Sequence, residues 1–301
     1  MCFRIVYNVP SNKKNARISN EVGIDMLKVV ALVENTTQSE SCKPKHGLSL
    51  YIETPKHKIL FDLGPNNLLL KNADALGVNL KDIDTVVISH GHVDHCGGLK
   101  SFLSVNSKAK IYLRPQALDK HYVKVLGIPF PAGINESLVK GDRFVFTDQT
   151  TVVDDEITLF SDVHGDFSLP KSDGNLFVGK DGKIVQDDFV HEQNLLLDTD
   201  GKLTLVCGCS HAGIVNIVDR AKIVAGRLPN AVIGGFHLFE PTSKRYESTE
   251  YIQSVANELL KRNATFYTCH CTGQKAYEDM RHCLGSRLNY LHTATVCNLY
   301  E

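Results

Sequence analysis

Short apolar runs alternate with polar turns along most of the chain, and their length and spacing separate strands from helices. Apolar runs bounded by turn residues predict strands at residues 27–33, 83–88, 110–113, 152–153, 157–163, 231–233, 265–268 and 295–299. Apolar residues at helical spacing predict helices at residues 68–76, 99–105, 214–225, 250–262 and 276–284. Because strands and helices alternate, the pattern predicts an α/β fold.

Paired apolar runs separated by polar turns predict three β-hairpins, within residues 48–63, 177–185 and 194–207. Residues 114–150 contain several prolines and glycines and show no regular period. A segment of this kind in a compact domain is usually functional, so we expect an insertion that lies over the site and shapes substrate choice. Residues 1–25 are polar with little periodicity and are interpreted as an N-terminal extension, which leaves residues 26–301 as a single domain.

Composition narrows the possible partners. The chain has 301 residues, 33 basic and 34 acidic side chains, and a formal net charge of −1. This balance argues against extended nucleic-acid binding, which needs a basic face. No apolar run approaches the roughly 20 residues that span a bilayer, and the N-terminus lacks an apolar signal-peptide core. Nine scattered cysteines favour a reducing cytoplasm, so we expect a cytoplasmic protein with a small-molecule substrate and neither nucleic-acid nor membrane partners.

Three histidines and one aspartate follow the apolar run that ends at residue 88: His90, His92, Asp94 and His95. Imidazoles and carboxylates are the ligands that zinc and similar divalent metals take. Alternate side chains of an extended segment share a face, so His90 and His92 can hold one ion. Asp94 and His95 can reach a second ion once the chain turns, which the glycine pair 97–98 permits. A loop without metal is disfavoured, because crowded imidazoles repel each other when charged.

Two ions need more ligands than this loop supplies. The second half of the chain places His or Cys after several predicted strands: His191, Cys209, His211, His237 and His270. His211 is the preferred third ligand of the first ion, because a Ser-His pair directly follows an apolar strand. His270 is preferred over His237 for the second ion. We expect two zinc ions, with manganese or iron as alternatives.

The sequence Ser-His-Gly-His-Val-Asp-His at residues 89–95 resembles the His-x-His-x-Asp-His signature of the metallo-β-lactamase superfamily. The resemblance implies a four-layer αββα sandwich with a metal site, usually dinuclear, along one edge. Three further motifs, at residues 208–216, 234–238 and 270–273, resemble a subgroup of that superfamily. The subgroup is named for 7,8-dihydropterin-6-yl-methyl-4-(β-D-ribofuranosyl)aminobenzene 5′-phosphate synthase.

The resemblance also implies roles for three other residues. Asp62 stands in an Asp-x-Gly motif, where the aspartate of the superfamily is expected to hydrogen-bond the predicted metal loop, residues 89–98. The alternative is that Asp62 is an ordinary turn carboxylate. Cys209 occupies the position at which many members have a metal-bridging aspartate, so either its thiolate binds or water alone bridges. His191 lies close to the usual position of the third histidine of the superfamily and is the alternative to His211.

Metal-assisted hydrolysis is the function that these residues favour. Two ions about 3.5–4 Å apart lower the pKa of a bridging water and orient it for attack. Asp94 would bind the second ion and accept the proton of the water, and His237 would bind a substrate anion or protonate the leaving group. Phosphodiesters, thioesters and lactones all suit such a site.

Two alternatives remain from the sequence. The first is the reaction in the subgroup name, in which a pterin is transferred from its diphosphate to a phosphoribosyl arylamine. The second is a metal or thiol sensor without turnover, suggested by four cysteines, Cys207, Cys209, Cys269 and Cys271.

Overall fold

The computed structural model describes residues 27–300, so the predicted extension at residues 1–25 lies outside the described residues. The strands, in chain order, are β1 (Leu27–Val33), β2 (Ser49–Glu53), β3 (Lys58–Phe61), β4 (Thr85–Val87), β5 (Lys110–Leu113), β6 (His121–Val125), β7 (Ile128–Pro131), β8 (Phe144–Phe146), β9 (Thr150–Val152), β10 (Ile157–Ser161), β11 (Leu176–Lys180), β12 (Lys183–Gln186), β13 (Gln193–Thr199), β14 (Lys202–Val206), β15 (Ala231–Gly234), β16 (Phe239–Glu240), β17 (Arg245–Tyr246), β18 (Thr265–Thr268), β19 (Leu288–Tyr290) and β20 (Val296–Leu299). The helices are α1 (Leu68–Ala75), α2 (Val93–Cys96), α3 (Leu99–Val105), α4 (Ile214–Ala225), α5 (Thr249–Leu260) and α6 (Gln274–Leu284).

Two seven-stranded sheets form the centre of the fold. Their strand orders are β20-β1-β2-β3-β4-β5-β8 and β19-β18-β15-β14-β13-β10-β9. In the first sheet β3, β4, β5 and β8 run parallel, and in the second β14, β15, β18 and β19 do. Parallel neighbours need crossover connections, and the helices lie in those connections. The carboxyl ends of these parallel strands lead into the histidine motifs, as in other α/β sheets that bind ligands at this edge.

Three buried apolar clusters define the layers. One cluster joins the facing surfaces of both sheets, with Phe61 and Ile59 from the first and Leu195 and Ile233 from the second. A second cluster packs α1 and α3 against the outer face of the first sheet. A third packs α4, α5 and α6 against the outer face of the second sheet. This is the predicted four-layer αββα arrangement, and strands flanked by helices on one face and by a sheet on the other are apolar on both faces.

The segment predicted to be irregular contains strands. The hairpin β6–β7 pairs with β11 and β12 in a separate four-stranded sheet of order β12-β11-β6-β7, and β8 joins the first large sheet. Pro129 and Pro131 lie in β7, an edge strand, where a residue without an N–H is tolerated. Because proline is uncommon in strands, these two residues prevent the prediction of β7 from the sequence. The hairpin adjoins the metal loop, since the Val93 N–H donates to the Ala132 carbonyl at 2.8 Å.

The glycine pair after the histidine motif serves close packing rather than the predicted turn. Gly97 and Gly98 have φ values of −63° and −74°, which any residue adopts. A Cβ atom on Gly97 would lie 2.2 Å from the Pro65 carbonyl oxygen, and one on Gly98 would lie 2.1 Å from the Leu63 carbonyl oxygen. The metal loop therefore packs directly on the backbone that follows β3.

None of the helices in residues 27–300 has the length and apolar character needed to cross a membrane.

We expect Gly98→Ala to lower the free energy of unfolding by about 1–3 kcal/mol, because the new methyl group overpacks the contact with the Leu63 carbonyl. Denaturant unfolding would measure the change. Gly174→Ala is the matched control, since a Cβ there would have no neighbour within 4 Å. Equal stability of the two variants would contradict the packing role.

Candidate metal centre

Three imidazoles from distant parts of the chain form the first group of the site. His90 and His92 lie between β4 and α2, and His211 follows β14. One ring nitrogen of each of the three histidines lies within 4.8 Å of the other two. All three side chains are buried. The structure thus brings together the three residues predicted to hold the first ion.

Hydrogen bonds fix which nitrogen of two of these rings is free. Ser89 Oγ donates to Asp62 Oδ2 at 2.7 Å, so it accepts from His90 Nδ1 at 2.8 Å. His211 Nδ1 donates to Asp173 Oδ1 at 2.6 Å. The proton of each neutral ring is then on Nδ1, and the lone pair is on Nε2. Neither Nε2 atom is exposed, and neither has a hydrogen-bond partner within the described residues. Buried polar atoms are rarely left unpaired, so a cation fits between these rings.

His191, the alternative to His211, has no lone pair to offer. The Gly91 N–H donates to His191 Nδ1 at 2.9 Å, which places the ring proton on Nε2. That nitrogen lies 3.2 Å from Asp187 Oδ2, a suitable acceptor. The geometry therefore favours His211 over His191 as the third ligand.

Asp94, His95 and His270 form the second group of the site. His95 Nδ1 donates to Asp62 at 2.6 Å and His270 Nδ1 to Asn35 Oδ1 at 2.9 Å, which leaves a lone pair on each Nε2. These two Nε2 atoms lie only 3.2 Å apart, and Asp94 Oδ2 is 3.3 Å from the Nε2 of His270. Two lone pairs at this distance repel unless a cation or a proton lies between them.

Cys209 lies between the two groups. Its Sγ is 3.1 Å from His95 Nε2, and it shares a 4.8 Å cluster with His90 and His95. This is the position in which the resemblance implied a bridging residue. A thiolate at this point is a suitable ligand for zinc.

Asp62 lies where the resemblance implied. Its carboxylate accepts hydrogen bonds from the Ser89 N–H, the Ser89 hydroxyl and His95 Nδ1, each at 2.6–2.7 Å. Its φ of 60° lies in the left-handed region, which is uncommon for a residue with a side chain. Asp62 thus connects the end of β3 to both groups of the site.

His237 lies beside the site, outside both groups. Its Nε2 is 2.9 Å from Asp173 Oδ1, the same oxygen that His211 contacts, and it shares a cluster with Cys209 and Cys271. Asp173 was not predicted from the sequence, because it lies in a polar turn without periodicity. His46, which is 3.2 Å from Asp94 Oδ2, was missed for the same reason.

Both groups open into one pocket of about 430 Å³. Its walls combine residues of the site with apolar side chains from the small sheet and its surroundings: Val93, Val123, Ala132, Leu176 and Pro241. Among the described residues, no lysine or arginine lines it. The predicted insertion therefore contributes a wall of the pocket through Val123 and Ala132.

His95 differs from His90, His211 and His270 in how readily it takes up a proton, since burial lowers the pKa of those three imidazoles. Burial lowers the pKa of His211 to about 4, although Asp173 opposes the shift. Burial and the neighbouring imidazoles hold the pKa of His90 well below its usual value. Burial alone would also lower the pKa of His95, but the carboxylates of Asp94 and Asp62 outweigh it and raise the pKa to about 9.

Comparison with known proteins agrees with this geometry. The sequence model of the metallo-beta-lactamase superfamily matches residues 42–224, so the chain belongs to that superfamily. The fold class that the histidine motif implied is thereby confirmed.

Two relatives come from Methanocaldococcus jannaschii. The chain is 29% identical to its 7,8-dihydropterin-6-methyl-4-(beta-D-ribofuranosyl)-aminobenzene-5'-phosphate synthase, over 84% of this chain and 90% of the relative, which confirms the subgroup resemblance. It is 31% identical to a second, uncharacterized protein, over 83% of this chain and 92% of the relative. Among solved structures, Tm1679, described as a metal-dependent hydrolase of the β-lactamase superfamily, superposes with a TM-score of 0.77. It is 28% identical, with 91% of this chain and 100% of that chain covered.

Where both groups hold an ion, we expect the ion of the second group to be lost before that of the first as the pH falls. Protons compete with a metal for His95 at every pH below about 9, so its affinity falls as the pH is lowered from there. Protons compete at His211 only near pH 4. Metal analysis after dialysis at a series of pH values between about 9 and 5 would measure both equivalents. Loss of both equivalents in a single step, with no one-ion form, would contradict this order.

Proposed function

We propose that this protein is a metal-dependent hydrolase that cleaves an ester-like bond in a small molecule. The observation that carries the proposal is the pair of buried, unpartnered Nε2 atoms of His90 and His211, beside a second ligand group, with His211, Asp94 and His270 lining a largely apolar pocket. The similarity to Tm1679 supports it, because that protein is described as a metal-dependent hydrolase.

The chain offers two sets of ligands for divalent ions. His90, His92 and His211 would hold the first ion, and Asp94, His95 and His270 the second, with Cys209 between them. Nitrogen and sulfur ligands favour zinc, and a carboxylate also allows manganese or iron. When bound, such ions would lower the pKa of a coordinated water and stabilise charge on the attacked oxygen.

His237 is suited to donate a proton to the leaving group. It lines the pocket, and its Nε2 contacts Asp173. Burial would lower the pKa of His237, but the Asp173 carboxylate and the Cys271 thiol group together outweigh burial and raise that pKa well above its usual value. A protonated imidazole held in place by a buried carboxylate is an effective general acid.

Asp94 is better suited to bind an ion than to accept a proton. Burial would raise its pKa, but the neighbouring imidazoles, His95 foremost, hold the pKa well below its usual range. A carboxyl group with a low pKa stays ionised at neutral pH and is a weak base. We therefore propose Asp94 as a metal ligand and not as the group that accepts the proton of the water.

The pocket favours a substrate with an apolar body and little charge away from the metal ligands. Its walls are largely apolar, and no lysine or arginine from the described residues faces it. A thioester, a lactone or a singly charged phosphodiester meets this requirement. Each places its one polar reacting group at the ligand clusters and the rest of its surface against Val123, Leu176 and Pro241.

We expect the purified protein to hold about two equivalents of metal and to hydrolyse at least one chromogenic ester of these three classes. His90→Ala should reduce the metal content to about one equivalent and hydrolysis to background, because it removes a ligand of the first ion. His164→Ala is the matched control, since the His164 side chain is 85% exposed and lies outside both groups. Wild-type protein that holds metal but hydrolyses none of the three classes would contradict the hydrolase.

A second function follows from the similarity to the Methanocaldococcus jannaschii synthase, which spans 84% of this chain. Here a pterin diphosphate would react with an arylamine instead of water, and the metal ligands would hold the diphosphate. No lysine or arginine lines the described pocket, so a diphosphate would depend on the metals and on the protonated imidazole of His237. We expect no coupled product when metal-loaded protein is incubated with both compounds, and its appearance by mass spectrometry would favour the synthase over the hydrolase.

A further inference from the structure

A second cluster of buried titratable side chains adjoins the metal ligands. His92, His121, Asp187 and His191 are all buried, and one polar atom of each lies within 4.8 Å of the others. His121 begins β6, and Asp187 and His191 lie between β12 and β13. The cluster thus forms where the four-stranded sheet meets the metal loop.

One carboxylate oxygen is the centre of this cluster. Asp187 Oδ2 lies 3.1 Å from His121 Nδ1, 3.2 Å from His191 Nε2 and 3.4 Å from His92 Nε2. The other oxygen, Oδ1, accepts from the Phe189 N–H at 2.9 Å. Three nitrogens around one oxygen at these distances suit either a further metal ion or a hydrogen-bond centre.

Proton positions decide in favour of the hydrogen bonds. His191 Nδ1 accepts from the Gly91 N–H, so Nε2 carries the proton and cannot bind a metal. That N–H has Asp187 Oδ2 as its acceptor. Asp187 Oδ2 therefore accepts the His191 N–H, and the His191 imidazole offers no ligand atom for an ion in this cluster.

The position of Asp187 affects which nitrogen of His92 carries its proton. A neutral imidazole has one N–H and one lone pair. The buried Nε2 of His92 lies 3.4 Å from Asp187 Oδ2 and makes no hydrogen bond among the described residues. A lone pair that faced a carboxylate oxygen at this distance would be repelled, whereas an N–H would be attracted, so the charge of Asp187 favours the proton on Nε2 and the lone pair on Nδ1. Nδ1 is then the only nitrogen of His92 that can bind the ion shared with His90 and His211. A carboxylate that holds the far nitrogen of a metal-binding histidine sets both its tautomer and its orientation.

The small sheet contacts the histidine motif closely at His121. A Cβ atom on Gly91 would lie 2.7 Å from His121 Nε2 and 2.6 Å from the Ala117 carbonyl oxygen. The same sheet supplies Val123 and Leu176 to the pocket wall. His121 and Asp187 thus connect the wall that faces the substrate with a predicted metal ligand.

We propose that Asp187 is a positioning residue that fixes His92 for the first ion, so that the docked four-stranded sheet sets the metal affinity of that site. The inference rests on the proposed metal sites and not on the identity of the reaction. It assigns a role to a carboxylate that is not itself a predicted ligand and that lies far along the chain from the motif containing His92.

The test compares Asp187→Asn with Asp188→Asn in the full chain. Asp188 is the matched control, because it is the adjacent carboxylate and pairs with Lys180 at the surface. Each protein is stripped of metal and titrated with Zn²⁺ against a chromogenic chelator, which gives a Kd for each ion. We expect Asp187→Asn to weaken the ion that His90→Ala removes by about 10–100-fold, the range found when such carboxylate partners are removed, and to leave the other unchanged. Asp188→Asn should match the wild type at both sites.

A second variant and a second measurement keep the test decisive. His121→Leu removes a neighbour of the same Asp187 oxygen from the sheet side, and we expect it to weaken the same ion by less than Asp187→Asn does. Thermal unfolding of the metal-free proteins reports any general loss of structure. Unchanged affinities in Asp187→Asn, or equal weakening of both ions together with a lower Tm of the metal-free protein, would overturn the positioning role.

The outcomes also separate this inference from the proposed function. If the wild type binds no Zn²⁺, both the hydrolase function and the positioning role are contradicted. If the wild type binds two ions and Asp187→Asn has the expected effect, but the wild type hydrolyses no ester, the proposed hydrolase function is contradicted and the positioning role of Asp187 is supported.

Discussion

A neutral imidazole has a single lone pair, and this constraint governs the whole site. Each ring can bind an ion with one nitrogen only if the other nitrogen carries its proton toward an acceptor. Asp62 accepts from His95 and Asp173 from His211, and Asp187 Oδ2 lies 3.4 Å from His92 Nε2. The three carboxylates come from the end of β3, from a turn before β11 and from the connection after β12. Three separate parts of the fold must therefore be in place before the histidines can act as ligands.

Two of these carboxylates each contact more than one functional side chain of the site. Asp173 touches His211 and His237 through one oxygen, so the orientation of a predicted ligand and that of a predicted proton donor depend on one side chain. Asp62 contacts His95 directly and His90 through the Ser89 hydroxyl, which relates the two ligand groups to each other. Because buried polar networks gain strength from low local dielectric, loss of one member affects several others.

The sequence predicts the αββα fold and the position of the site well, since both depend on local patterns. The apolar run before His90 marks a buried strand, and the ligands follow the carboxyl ends of β4, β14 and β18. The choice between His191 and His211 could not be made from spacing, because it depends on the Gly91 N–H, a backbone donor that no residue type reveals. Asp173 and Asp187 lie in polar segments without periodicity, and only the folded chain shows what their carboxylates contact.

The four-stranded sheet contacts both the predicted metal ligands and the wall of the pocket. Its strand β6 provides Val123 to the pocket wall and His121 to the contact with Asp187, and the two residues are separated by a single position. Successive residues of a strand alternate between its faces, whereas residues two apart share a face. His121 and Val123 therefore share one face of β6, and a shift of that strand moves the pocket wall and the support of His92 together.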